Sequence, residues 1–421
     1  MTEIKPSHVN GKIEIPASKS QTIRAFLIAT FSKEISTIRH PLISEDTKAA
    51  IDACRSMGAK IEFNSDMSCA YVDARNAFEE IDSLTIDCRN SGTTEYLLLP
   101  MAASLGKAVT ITGDEQLSSR PVGPLSRSLE DLGAKISSKD GKPPVTVKGP
   151  LKGGKTTIEC KTSQYLSGLL LGLPLADGDS EVTCSLLYEK PYVGITLSWL
   201  EMQNIDYEIS PDYMNAKIKG NQHYHGFDVY IDGDFSSASF FFCMAVISRS
   251  SVTVKGLNRN DPQGDKAILD VLEKMGANVI WNGNEVTVSA EGDLKGGEFD
   301  LNAIPDALPV LAVTAAFASS DVHLTNVPQA RIKETDRIAT MVDNLRLLGV
   351  AVDEEEDGML IHSTGRLKGG YAKGYGDHRI IMALATAAAG SEESIFIDDT
   401  TAANVTFPTF FNLYDSIRRD K

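Results

Sequence analysis

A short β-branched segment recurs along the chain at nearly constant spacing: STIRH at 36, AVTITGD at 108, SEVTCSL at 180, SVTVKGL at 251, DVHLTNV at 321 and SIFIDDT at 394. With Thr37, Thr110, Thr183, Thr253, His323 and Phe396 as equivalent positions, the intervals are 73, 73, 70, 70 and 73 residues. Self-similarity at a fixed period means one supersecondary unit used repeatedly, and it restricts the fold more than any single motif does.

Each of these strands follows a compact apolar helix with a polar start: SKSQTIRAFLIATF, SGTTEYLLLPMAASL, SQYLSGLLLGLPLA, SSASFFFCMAVI, PDALPVLAVTAAFA and DHRIIMALATAAA. Apolar nearly all round, these read as buried core helices. A second, amphipathic helix then ends in glycine before another strand, as in CRSMGAKIEF, LEDLGAKI, LEKMGANVIW and LRLLGVAV. Glycine stops a helix as a left-handed cap. In LEMQNIDYEI the position is Asn204, the next-best residue for that conformation.

The unit is thus about 70 residues of mixed helix and strand, present nearly six times. The sixth is short, with 45 residues from Asp377 to Lys421. The segment SHVNGKIEIP reads as a strand before the first core helix and is expected to help complete that last unit. Two domains of three units each follow. Residues 17–232 form one; residues 1–16 plus 233–421 form the other, with Gly233 at the second crossing. One long α/β domain is the alternative. At 421 residues and 42% hydrophobic, the chain can bury two large cores.

Buried helices with polar starts present unpaired N–H groups and the positive end of the helix dipole, a natural place for anions. The net charge of −16 argues against a nucleic-acid partner. An acidic protein that binds small anions must therefore concentrate its positive charge. Such concentrations exist. Lys19, Ser20 and Arg24 open the first core helix, Asn90, Ser91, Gly92 and Thr93 the second, Thr162, Ser163 and Gln164 the third. Asp234 and Ser236 open the fourth, Asp306 the fifth, and Asp377, His378 and Arg379 the sixth. Arg120 lies in SSRPVGPL, and Arg331, Lys333 and Arg337 crowd into RIKETDRI with Glu334, Lys333 and Arg337 being spaced to share a helix face.

Ser, Thr, Asp and Asn are ordinary N-caps, and a charged run is an ordinary wet helix face. Lysine and arginine at helix starts are not ordinary, because the dipole opposes them unless an anion is near. The six cysteines form no CxxC pair and no Cys/His ligand set, so neither a metal nor another cofactor is expected, and reduced thiols are. The N-terminus has no apolar leader-like core, and no apolar run reaches the roughly 18 residues a membrane helix needs. A soluble, cytoplasmic protein is expected.

Taken together and in this order, SKSQTIR, NSGTT, SSRPVGPL, TSQYLSGLLL, KPYVGIT, IPDA, RIKETDRI and DHRIIMA resemble the 5-enolpyruvylshikimate-3-phosphate synthase family of enolpyruvyl transferases. The motifs span the whole chain. The resemblance implies an α/β fold described as a two-domain inside-out α/β barrel, six βαβαββ units with three per domain and the active site in the cleft between them. It also implies a reaction: the enolpyruvyl group of phosphoenolpyruvate passes to the 5-hydroxyl of shikimate 3-phosphate, releasing phosphate.

By match to the family motifs, Lys19, Ser20, Arg24, Thr162, Ser163, Gln164, Tyr192, Asp306, Gln329 and Lys333 are expected to hold shikimate 3-phosphate. Lys19, Asn90, Gly92, Arg120, Gln164, Arg337 and Arg379 are expected around phosphoenolpyruvate. Glu334 is the matching proton donor to the methylene carbon, Asp306 the acceptor of the hydroxyl proton, and Lys19 an aid at the leaving group. A monomer is expected, with these two small molecules as its partners. Three positions depart from the family pattern: Tyr96 stands where an arginine is common, Glu189 where a serine is, and Val405 where a lysine is. The related UDP-N-acetylglucosamine enolpyruvyl transferases carry a cysteine where this chain has Glu115, and KSQTIR replaces their N-terminal signature. A non-catalytic shikimate-phosphate binder would need the cations but not both Asp306 and Glu334.

Overall fold

The structure, a computed structural model, describes residues 1–79 and 82–419. The chain forms two compact units, Ala17–Ile231 and Met1–Pro16 with Asp232–Lys421. The second crossing thus falls one residue before the expected one, with Asp232 on the discontinuous unit.

Three four-stranded sheets build the Ala17–Ile231 unit, all with the same topology. In one, Ser83–Asp87 pairs in parallel with Ala108–Thr112, which pairs antiparallel with Lys142–Lys148, itself paired with Lys135–Lys139. A parallel pair needs a crossover, and the helix Gly92–Ala103 supplies it. Ser163–Gly172 does the same between Gly154–Cys160 and Ser180–Leu187, whereas Lys19–Phe31 leads into Ile35–Arg39, whose parallel partner Asp228–Tyr230 comes last in the unit. Gly92–Ala103 and Ser163–Gly172 pack closely. A methyl on Gly168 would lie 2.2 Å from the Tyr96 carbonyl oxygen, and one on Gly172 2.6 Å from the Pro100 carbonyl carbon. Glycine at those two positions is what lets the helices approach.

The discontinuous unit repeats the plan around Phe235–Ile247, Leu308–Ala315 and His378–Ala388, which pack on one another. Phe235–Ile247 is buried along its whole length, as its apolar sequence requires. Here the expectation for SHVNGKIEIP is corrected in part. Strand His8–Glu14 pairs in parallel with Ser251–Lys255 and so leads the fourth unit, while its first residues also pair with Arg418–Arg419 at the end of the sixth. The short sixth unit also takes Thr2–Ile4, antiparallel to Ile395–Ile397. The first unit obtains its leading strand from Asp228–Tyr230, parallel to Ile35–Arg39. The first and fourth units have in effect exchanged leading strands, and each of the two chain crossings runs from such a strand to the other unit.

All five helix-stopping positions adopt positive φ: Gly58 at 96°, Gly133 at 99°, Gly276 at 106°, Gly349 at 86° and Asn204 at 54°. RIKETDRI differs from expectation. Pro328–Ile332 is a 3-10 turn, Lys333 is extended, and the helix Arg337–Leu347 begins only after Asp336. Asp336 Oδ1 accepts from Ala339 N at 3.0 Å, and that N-cap fixes the start. Lys333 and Arg337 therefore do not share a helix face.

Candidate active site

In the Ala17–Ile231 unit the three core helices begin with capped, polar turns. Ser18 caps the first, its hydroxyl accepting from Gln21 N at 3.5 Å. Lys19 follows, its Nζ 2.9 Å from Asp46 Oδ2. One turn on, Arg24 is 2% exposed. Its guanidinium donates to Thr196 Oγ1 at 3.0 Å, to the Ser20 carbonyl at 2.9 Å and to the Tyr192 carbonyl at 3.5 Å. Among the described residues no carboxylate pairs with it. Burial drags its pKa down to about 9, with Tyr192 opposing. An arginine keeps its proton in a protein, and a buried charge is costly unless it is paired.

Ser91 caps the second core helix. Arg120 Nη2 donates to Asn90 Oδ1 at 3.0 Å, and the Asn90 amide is held by Asp114 at 2.7 Å and Gln116 at 2.6 Å. A methyl on Gly92 would sit 2.7 Å from Arg120 Nη1. Glycine there lets the guanidinium lie against the helix start. Glu95 is fully buried, and neither of its oxygens has a hydrogen-bond partner. Burial pushes its carboxyl up to about 8, with the charge of Arg120 pulling the other way. Tyr96 packs edge-on to Tyr165, ring centroids 5.2 Å apart. Both hydroxyls donate to the Pro121 carbonyl, at 3.3 and 2.5 Å. The Tyr96 departure is thus a packing residue that ties the Arg120 loop to two core helices.

Thr162 caps the third core helix, accepting from Gln164 N at 3.4 Å. Here a carboxylate is seated on the helix start. Glu189 Oε2 accepts from Thr162 Oγ1 at 3.3 Å, Ser163 N at 3.3 Å and Ser163 Oγ at 3.1 Å. Gln164 Oε1 is buried without a hydrogen-bond partner. Tyr192, half-buried, reaches this group through its carbonyl contact with Arg24.

The discontinuous unit gathers a dense charge cluster. Arg337 is 1% exposed and donates to three carboxylates: Asp306 at 3.0 Å, Glu334 at 2.5 Å and Asp377 at 2.8 Å. Arg379 pairs with Asp306 at 2.8 Å. Asp377 caps the sixth core helix, accepting from Arg379 N at 2.8 Å, and takes Thr335 Oγ1 at 3.1 Å. Burial would lower the pKa of Arg337, but Asp377, Glu334 and Asp306 together hold it well above its ordinary value. Burial likewise works against the Asp377 charge, yet Arg337 keeps its carboxyl below the usual range.

Gln329 is 1% exposed; its amide donates to the Asn302 carbonyl at 3.1 Å, and its Oε1 is buried without a hydrogen-bond partner. Lys333 is half-buried, just outside the Arg337 helix. Arg331 serves the fold. It pairs with Asp336 at 2.7 Å and Glu354 at 3.0 Å and donates to the carbonyls of Glu355 and Glu356. Asp234 caps the Phe235–Ile247 helix through Ser236 N and Ser237 N. Val405 is half-buried in a 3-10 turn.

Each unit therefore concentrates its own subset. Lys19, Ser20, Arg24, Thr162, Ser163, Gln164 and Tyr192, with Asn90, Gly92 and Arg120, lie at the core-helix starts of one. Asp306, Glu334, Arg337 and Arg379 meet in the other. Sequence reasoning gave no role to Asp46, Thr196, Glu95 or Asp377, which hold or surround those cations. Only Asp377, adjoining His378 and Arg379 at a helix start, carried a signal. Among the described residues no cluster of His, Cys, Asp and Glu could hold a metal ion, and no helix is long and apolar enough to cross a membrane.

Known proteins resemble this chain over nearly its whole length. The family model described as EPSP synthase (3-phosphoshikimate 1-carboxyvinyltransferase) matches residues 4–413. A 3-phosphoshikimate 1-carboxyvinyltransferase of Acetivibrio thermocellus is 45% identical over 415 residues, covering 98% of this chain and 97% of its own. One of Ruminiclostridium cellulolyticum is 42% identical over 410 residues, covering 97% and 96%. The solved structure of EPSP synthase from Acinetobacter baumannii superposes with a TM-score of 0.82 at 26% identity, covering 99% of this chain and 98% of that one.

Proposed function

The chain belongs to the EPSP synthase (3-phosphoshikimate 1-carboxyvinyltransferase) family, and from that premise we propose how its own residues carry the reaction. The enzyme transfers the enolpyruvyl group of phosphoenolpyruvate to the 5-hydroxyl of shikimate 3-phosphate, releasing phosphate, in the shikimate pathway to aromatic amino acids.

Both substrates carry a carboxylate and a phosphate, so the protein must neutralise several negative charges. Arg24, buried and without a carboxylate partner among the described residues, takes the shikimate carboxylate with its planar fork, beside Ser20 and Tyr192. Thr162, Ser163 and Gln164 at the third helix start take the phosphate of the same substrate. Gln329 and Lys333 complete its surroundings. Asn90, Gly92, Arg120, Gln164, Arg337 and Arg379 take phosphoenolpyruvate, and Lys19 serves both ligands.

One observation carries the catalytic assignment: Asp306 and Glu334 are held by the same buried arginine, Arg337. Phosphoenolpyruvate, itself an anion, competes for Arg337 and Arg379. Released from Arg337 beside the bound anion, Glu334 takes up a proton from solvent and becomes the acid, while Asp306 stays ionised as the base. Glu334 gives a proton to the methylene carbon while Asp306 takes the proton of the attacking hydroxyl, forming a tetrahedral intermediate. Glu334 then recovers a proton from the new methyl group as the C–O bond to phosphate breaks, and the proton held by Asp306 passes to the departing phosphate, with Lys19 assisting.

The expected test outcome is phosphate release that requires both substrates and falls by roughly two to four orders of magnitude in Glu334→Gln. Shikimate 3-phosphate binding should survive in that variant. Binding without release in the unaltered enzyme would instead make the chain a binder. We also propose a cytoplasmic monomer. All six cysteines are free and buried, in keeping with a reducing compartment.

A further inference from the structure

The third core helix presents its starting donors not to solvent but to Glu189. A single oxygen, Oε2, takes Thr162 Oγ1, Ser163 N and Ser163 Oγ. Glu189 is 2% exposed and immediately precedes the helix Lys190–Met202, yet its side chain makes no capping bond to that helix. Its backbone has φ of 56°, a left-handed conformation that costs any residue with a Cβ. The carboxylate is thus turned away from its own helix and onto the neighbouring one. There it satisfies what a bound phosphate oxygen would satisfy: a backbone N–H, two hydroxyls and a positive dipole end.

We propose that Glu189 is a specificity-determining residue, an internal anion that competes with the substrate phosphate for the Thr162–Ser163 donors. The inference rests on the reading that these residues bind the phosphate of shikimate 3-phosphate. Two anions cannot share one small set of donors in a buried place without strong repulsion, so the phosphate binds only by displacing the carboxylate. An uncharged hydroxyl in the same position needs no displacement and can donate to Glu189. The residue therefore narrows the preference for the phosphorylated acceptor over the same acceptor without its phosphate.

Steady-state kinetics with saturating phosphoenolpyruvate test this on the wild-type enzyme, Glu189→Gly, Glu189→Gln and Ser163→Ala. Glycine suits the left-handed backbone, and glutamine keeps the size while removing the charge. Glu189→Gly should lower KM for shikimate 3-phosphate by about tenfold, the worth of a charge-assisted hydrogen bond no longer broken, and Glu189→Gln by less. KM for shikimate itself should not fall, and KM for phosphoenolpyruvate should stay unchanged. Ser163→Ala should raise KM for shikimate 3-phosphate. If it does while neither Glu189 variant lowers that KM, the inference fails and the binding reading stands. If Ser163→Ala leaves that KM unaltered, the binding reading falls and takes the inference with it.

Discussion

At the scale of single residues, the two units handle buried charge in opposite ways. Arg337 is saturated by three carboxylates, whereas Arg24 is solvated by a hydroxyl and two carbonyls. Glu95 is the extreme case, fully buried with no hydrogen-bond partner for either oxygen. Its carboxyl is raised from 4.5 to about 8, so between those values the folded protein holds a proton that the unfolded chain has lost. Stability then falls as pH rises through that window and levels off above it. The full shift corresponds to as much as about 5 kcal/mol. Glu95→Gln keeps the shape and removes the titration. Its melting temperature should exceed that of the wild type by a margin that widens from pH 5 to pH 9, followed by thermal unfolding at both. An equal margin at the two pH values would mean that the carboxyl titrates normally.

At the scale of elements, the amphipathic helices stop by backbone conformation rather than by side-chain capping. The five stop residues all lie in the left-handed region. Gly276 isolates that effect, because a methyl there would come no closer than 3.9 Å to any other group. Gly276→Ala should therefore cost about 1 kcal/mol through conformation alone. Asn204→Gly, at φ of 54°, should be neutral or slightly stabilising. Denaturant unfolding of both variants measures the contrast, and an equal loss in the two would contradict it. The core-helix starts obey a different rule. Ser18, Ser91, Thr162, Asp234 and Asp377 cap their helices with side chains, and the binding candidates are their immediate neighbours. Capping fixes the backbone so firmly that the residues beside the cap are free to serve chemistry.

At the scale of the molecule, the exchange of leading strands makes the N-terminus part of the discontinuous unit. His8–Glu14 sits between Ser251–Lys255 and Arg418–Arg419 in a five-stranded sheet. Deleting residues 1–14 removes that strand, whose Val9 and Ile13 are 0 and 4% exposed, and uncovers the apolar surface they pack against. The Ala17–Ile231 unit has all of its own strands, since Asp228–Tyr230 supplies the leading one. The truncated chain should therefore lose hydrogen-exchange protection throughout 232–419 while the core helices of 17–231 keep theirs. Uniform loss, or none, would contradict the strand assignment.

The sequence by itself determined what is local or periodic. The six strands, the six buried helices and the five left-handed stops follow from side-chain patterns within a few tens of residues, and so do the polar helix starts that hold the candidate residues. What only the tertiary structure decided is which partner meets which. The N-terminal strand joined the fourth unit because strand pairing depends on which sheet edge is open, not on sequence order. Lys333 left the Arg337 helix because Asp336, a stronger cap, claimed its start. Glu189 found the Thr162–Ser163 donors 26 residues earlier in the chain, and Arg337 found Asp377 at a separation of 40. Such pairings depend on distances between distant segments, which no pattern of neighbouring residues encodes.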